Sequence, residues 1–261
     1  MKAHLEFQNG TYRSTLDDVS KFGRMFPSLF FYYHMISIVF HGSQLAQKGL
    51  YDNKAWTISS IGILRAMERI GTFFEITGLE NIEKLDTPCV YIGNHMSTLE
   101  TFILPNILVP YRNVTFVVKK SLIEFPVFKH IMISRDPVVV GRENPREDLT
   151  VVLKEGEKRL REGTSIVIFP QKTRTIKFNP EEFNTIGIKL ARRAGVPIVP
   201  LAVKTDAWGQ GKLIKDFGKI DPRKNVHFSF GEPMQIQGRG NEEHQRVINF
   251  ISDKLAEWNS K

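Results

Sequence analysis

Two segments of this 261-residue chain hold residue types that could do chemistry. Asn94-His95-Met96-Ser97-Thr98-Leu99-Glu100 offers a histidine with a carboxylate five residues on. Phe169-Pro170-Gln171-Lys172-Thr173-Arg174-Thr175 offers two cations and two hydroxyls after an apolar run. Imidazole accepts a proton near neutrality. A carboxylate on its far nitrogen fixes the tautomer and stabilises the imidazolium as it forms. A guanidinium grips a phosphate bidentately, and hydroxyls add donors. A base oriented by an acid, beside a guanidinium for an anion, suits acyl transfer to a hydroxyl on a phosphate-bearing molecule. Each segment also has a plainer reading. Ser97-Thr98-Leu99-Glu100 is by itself a capping box, with Glu100 on the cap residue's amide and His95 a polar loop residue. Taken alone, residues 172–175 are a solvated basic turn without a glycine-rich cradle.

The elements that must position these groups are short. Segments 89–92, 114–118, 138–140, 166–169, 198–203 and 226–230 are rich in β-branched and aromatic residues and read as strands. Between them, 145–162, 183–194 and 242–258 read as helices. Asn144 is an N-cap candidate followed by proline, and Gly163 and Gly195 are C-terminal stops. This alternation predicts an α/β fold, a mostly parallel sheet flanked by helices. His95 then follows a strand and falls at the sheet's carboxyl edge, where such folds place ligands. A turn at His95 and a helix starting near Ser97 would let Glu100 reach back. Pro170 ends the 166–169 strand because it cannot continue a ladder.

The first 75 residues show no clear strand but two helical candidates, 22–47 and 54–75. On a helical wheel Trp56, Ile63, Leu64, Met67, Ile70 and Phe74 fall within about a third of the circumference, with Arg65, Glu68 and Arg69 opposite. One reading packs this N-terminal amphipathic helical pair on the α/β core. The other also presents aromatics such as Leu29-Phe30-Phe31-Tyr32-Tyr33 to a bilayer surface. The expected division is 1–75, an N-terminal segment with a membrane-facing helical pair, and 76–261, the α/β domain.

A net charge of +8 favours anionic partners, phospholipid and acidic carrier protein among them. The single Cys89 excludes an intramolecular disulfide and a multi-cysteine metal site. Residues 1–25 lack the apolar run of a signal peptide. The longest apolar stretch, 26–40, falls short of the ~20 residues that span a bilayer. Neither a dinucleotide fingerprint nor a P-loop occurs, no nucleic-acid motif supports the basic charge, and the histidines are too scattered for a metal site.

Together the two segments resemble the glycerolipid acyltransferase family, typified by 1-acylglycerol-3-phosphate acyltransferases. Its first motif, N-H-x-S-x-x-D, is matched by Asn94, His95 and Ser97, with Glu100 in place of aspartate. Its third, F-P-E-G-T-R-S, is matched by Phe169, Pro170, Thr173 and Arg174, while Gln171, Lys172 and Thr175 depart. Val140-Gly141-Arg142 looks like the second motif and Val196-Pro197-Ile198-Val199-Pro200 the fourth, so the likeness covers about residues 75–235. The resemblance implies that His95, oriented by Glu100, deprotonates the free hydroxyl of lysophosphatidic acid. The alkoxide then attacks an acyl thioester and phosphatidic acid forms without an acyl-enzyme. Arg174, Thr173, Arg142 and Lys172 would hold the phosphate. No cofactor or metal is implied; acyl-CoA or acyl carrier protein serves as co-substrate. Glycerol 3-phosphate or another lysolipid is the alternative acceptor, and a non-catalytic lipid-binding homologue the alternative role. The expected location is the cytoplasmic face of a membrane, peripheral or monotopic.

Overall fold

Val90, Ile92, Ile166, Ile168 and Ile198 pack into one apolar cluster, and Tyr91, Val167, Val199, Leu201 and Val203 into another. This period-two alternation belongs to strands covered on both faces. The structure, a computed structural model describing residues 5–211 and 216–260, places eight strands in one sheet. They are β1 (Tyr12–Arg13), β2 (Phe74–Thr77), β3 (Val90–Gly93), β4 (Val114–Lys119), β5 (Val138–Val140), β6 (Ser165–Ile168), β7 (Ile198–Lys204) and β8 (Val226–Phe230). Their order is β1-β2-β8-β7-β3-β6-β4-β5. Pairing is parallel except at β1–β2 and β7–β8. The mostly parallel α/β sheet predicted from the alternation is therefore present, and β3, β4, β5, β6 and β7 run in one direction.

On one face lie α2 (Pro27–Gln47), α3 (Asn53–Glu68) and α5 (Leu99–Leu108); on the other, α8 (Pro145–Arg161), α9 (Ile186–Ala194) and α10 (Asn241–Asn259). Short helices α1 (Lys21–Met25), α4 (Glu80–Glu83), α6 (Lys120–Glu124) and α7 (Pro126–Ser134) complete the order. Asn144 caps α8 by accepting from the Arg146 amide. Gly195, at φ 69°, closes α9 in the left-handed conformation glycine favours.

The N-terminal segment differs from the expectation. Helix 54–75 stops at Glu68, where Gly71 at φ 98° and a bond from the Thr72 amide to the Met67 carbonyl (3.1 Å) reverse the chain. Phe74–Thr77 is then β2, so the segment is not strand-free, and position 75 lies inside a strand of the sheet. The polar side drawn for α3 is also corrected. Glu68 is buried beneath β1, accepting from Tyr12 (2.5 Å), Ser14 (2.6 Å) and Arg65 (2.5 Å). Proline at the first position of α2 separates it from α1. Phe31 of α2 packs edge-on against Trp208, while Leu29, Tyr33, Ile36 and Phe40 form a stripe on its outer side. Among the described residues no helix is long and apolar enough to cross a membrane.

Candidate active site

Because β3, β5, β6 and β7 are parallel, their carboxyl ends open on one edge of the sheet. From that edge emerge 94–100, 141–142, 169–175 and Thr205. Asn94 ties the first loop to β7: its Nδ2 donates to the Val203 carbonyl and its Oδ1 accepts from the Val203 amide, both at 2.8 Å.

The turn after Asn94 and the start of α5 at Leu99 bring Glu100 back onto His95, whose Nδ1 lies 2.8 Å from Glu100 Oε1. Glu100 is completely buried. Its carboxylate accepts from the Met96 amide (2.7 Å), the Ser97 amide (2.9 Å), the Ser97 hydroxyl (3.0 Å) and the Thr205 hydroxyl (2.7 Å). Burial alone would raise its pKa. The bond and charge of His95, with the bonds from Thr205 and the backbone, more than offset this and hold Glu100 below the usual carboxylate range. An ionised carboxylate only accepts, so His95 Nδ1 is the donor and Nε2 carries the lone pair. Half of the capping box is present: Glu100 serves the Ser97 amide and the imidazole together, in the first turn of a helix that favours negative charge, whereas Ser97 Oγ accepts from the Leu99 amide and the helix begins after Thr98. Phe169 stacks on the imidazole at 4.5 Å and 9° between planes. The His95 side chain is 15% exposed, a ring fixed on one side and accessible on the other.

The second loop is joined to the first by Gln171. Its Oε1 accepts from the His95 amide (2.6 Å) and its Nε2 donates to Thr175 Oγ1 (2.7 Å), while the Thr175 amide donates to the His95 carbonyl (3.0 Å). Lys172, at the family's glycine position, is exposed and its φ is not positive, so this turn does not need glycine. Thr173 is exposed beside it. Arg174 is more enclosed. Its Nη1 contacts both the Thr98 hydroxyl and the Asp216 carboxylate. Arg142 sits at φ 64°, its backbone amide held by Asp148 (3.0 Å) and its Nη1 donating to the Lys172 carbonyl (3.1 Å). Burial lowers the pKa of Arg142, Asp148 opposes this, and the charge of Arg174 lowers it further.

The structure therefore gathers His95, Glu100, Arg142, Lys172, Thr173 and Arg174 along one edge. It adds Thr205, Gln171, Thr98 and Asp216, to which no role was given from the sequence. Thr205 follows directly on β7 and had a positional signal. Asp216, 42 positions after Arg174, lies in no motif and had none. Among the described residues no cluster of histidine, cysteine and carboxylates could hold a metal ion.

The comparisons with known proteins give the chain a family. Residues 73–204, which contain both loops, match the family model described as Acyltransferase. The 1-acyl-sn-glycerol-3-phosphate acyltransferase of Pseudomonas aeruginosa is 30% identical over 207 residues, 77% of this chain and 76% of that protein. The chloroplastic BAT2 enzyme of Brassica napus, another 1-acyl-sn-glycerol-3-phosphate acyltransferase, is 31% identical over 54% of this chain and 38% of its own length. The crystal structure of PlsC, the 1-acyl-sn-glycerophosphate acyltransferase of Thermotoga maritima, superposes with a TM-score of 0.69 at 20% identity, covering 92% of this chain and 98% of that one, and shares the fold. With over half its length inside the family model and a relative matched along most of both chains, this protein belongs to the Acyltransferase family.

Proposed function

We propose that the protein transfers a fatty acyl group from an acyl thioester to the free hydroxyl of lysophosphatidic acid, giving phosphatidic acid. The observation that carries this reading is the buried, ionised Glu100 on His95 Nδ1, which leaves a lone pair on Nε2 at an accessible ring edge. The printed names of the relatives support the acceptor. In the mechanism, Nε2 takes the proton of the acceptor hydroxyl as its oxygen attacks the thioester carbonyl. The new C–O bond forms, the C–S bond breaks, and the departing thiolate of coenzyme A or acyl carrier protein takes up the proton from the imidazolium. Glu100 offsets the positive charge on the ring during transfer. Arg174, with Thr173, Lys172 and Arg142, holds the acceptor's phosphate.

The reaction we propose takes place at a membrane surface, on its cytoplasmic face, through peripheral contact, and the exposed apolar residues support the surface contact. Among the described residues, six of the fifteen exposed large hydrophobics lie on α1 and α2 and a seventh, Phe26, lies between them, with Leu29 at 63% and Tyr33 at 71% exposure. Such a patch is large for a water-facing surface. The defining test is acyl transfer to lysophosphatidic acid in vesicles, offered acyl-CoA or acyl carrier protein as donor, with His95→Ala as comparison. Turnover should fall at least about 10²–10⁴-fold in the variant. Near-full turnover would sink the general-base reading.

A further inference from the structure

Arg174 already holds an anion, and it comes from the chain itself. The Asp216 carboxylate contacts Nη1 of Arg174, and the Thr98 hydroxyl touches both, 2.9 Å from Asp216 Oδ1. The backbone from Asp216 to Ile220 is secured independently of this contact. The Trp208 indole donates to the Asp216 carbonyl (3.0 Å), Tyr32 of α2 donates to the Gly218 carbonyl (2.5 Å), and the Ile220 amide donates to Ser28 Oγ (3.0 Å). The carboxylate, 47% exposed, is therefore presented to Arg174 from an anchored stretch of backbone.

We infer that Asp216 is a specificity-determining residue: an internal carboxylate that occupies the guanidinium and hydroxyl an acceptor's phosphate would use, so that only a stronger anion displaces it. This rests on the proposed role of Arg174 in binding phosphate. A phosphate and a carboxylate on one guanidinium repel each other across a few ångströms in a partly desolvated pocket. Asp216 either swings away or weakens the bound phosphate; both raise the concentration of phosphate monoester needed. A dianionic phosphate with three acceptor oxygens can win this exchange. A neutral monoacylglycerol has nothing to exchange for the carboxylate, so Arg174 stays occupied.

The test uses the full chain, lysophosphatidic acid in phosphatidylcholine vesicles, and inorganic phosphate as a competitive inhibitor. Asp216→Asn should lower both the acceptor KM and the phosphate Ki about fivefold, the factor carried by a partly exposed ion pair. The gain should appear in KM rather than kcat and should be absent with monoacylglycerol. In an Arg174→Gln background the same substitution should change neither constant. If Arg174→Gln raises KM while Asp216→Asn raises it or leaves it unchanged, Asp216 merely positions the arginine and the inference is overturned, with Arg174 keeping its role. If Arg174→Gln leaves KM unchanged, the phosphate-binding reading of Arg174 fails, and the inference with it.

Discussion

Replacing Glu100 by glutamine removes one charge and nothing else in size, so the surrounding donors decide its effect. Oε1 accepts from three N–H groups, those of His95, Met96 and Ser97, and the two backbone amides among them cannot accept a bond in return. Oε2 faces the hydroxyls of Ser97 and Thr205, which can rotate and accept, and takes only the longer arm (3.2 Å) of the Ser97 amide's forked bond. The glutamine oxygen therefore stays on the N–H side and its amide turns toward the hydroxyls. His95 keeps its tautomer, and what is lost is the negative charge beside the imidazolium. At an effective dielectric of ~20 and a charge separation of ~4 Å that charge is worth about 4 kcal/mol, or about 10³-fold in turnover. This is less than the ~10⁴-fold seen where the corresponding aspartate-to-asparagine change in a serine protease imposes the wrong tautomer. The assay is thiol release under saturating donor, paired with a melting curve to show that the variant is folded. Activity within tenfold of the parent would show that the carboxylate charge does not assist proton transfer. A loss well beyond 10⁴-fold in a folded protein would mean that the tautomer had flipped, refuting the donor assignment around Oε1. Stability gives an independent check. The folded Glu100 pKa is depressed, so its ionised form contributes stability that is present above the unfolded value and lost as pH falls through the folded one. The stability gap between parent and Glu100→Gln should narrow as pH drops below about 4, and a gap that widens in acid would contradict the depressed pKa.

Gln171 and the outer stripe of α2 carry two further predictions. Gln171→Ala leaves the His95 amide without its 2.6 Å acceptor and frees Thr175, so it should destabilise the fold by about 1–3 kcal/mol and lower activity. Gln171→Glu, which can accept from both groups, should keep activity within a few-fold, and an inactive, folded Gln171→Glu would refute that account of the bridge. Converting Leu29, Tyr33 and Phe40 together to glutamine touches only exposed positions and should leave the melting temperature in place. At about 1 kcal/mol of lost insertion per half-buried side chain, vesicle affinity should fall about 10²-fold, and undiminished sedimentation with vesicles would remove α2 from the membrane contact.

Much of this fold was legible because its strands are short β-branched runs between capped helices; β3 to β8 each overlap a segment read as a strand from the sequence. The N-terminal part was misread for a physical reason. Phe74 lies on the apolar helical stripe begun by Trp56, and it also begins the alternation Phe74, Ile76 that faces the core in β2. Six apolar residues cannot by themselves choose between periods 3.6 and 2. Gly71-Thr72 was the deciding signal, a helix stop in left-handed conformation. Glu68 was drawn on the wet face because β1, two residues long, gives no strand signal, yet Tyr12 and Ser14 beside it supply the partners that let a carboxylate be buried.

The site divides along the same line between local and distant contacts. His95 and Glu100 were legible because their bond is made within one turn of chain. The departures from the family's third motif had to be seen folded. Gln171 gives up a charge, but its position calls for a group that can bridge the His95 amide and the Thr175 hydroxyl, and a neutral amide does that with one acceptor and one donor. Lys172 gives up glycine where the backbone never turns left-handed. Neither departure dismantles the loop, so the added cationic character is left to act on anions. Asp216, arriving from a segment without a motif and anchored through α2, then opposes the site's most enclosed guanidinium. A pocket enriched in cations and fitted with one tethered carboxylate discriminates among anions by how well they displace it, a property that follows from contacts across the fold and from no single stretch of sequence.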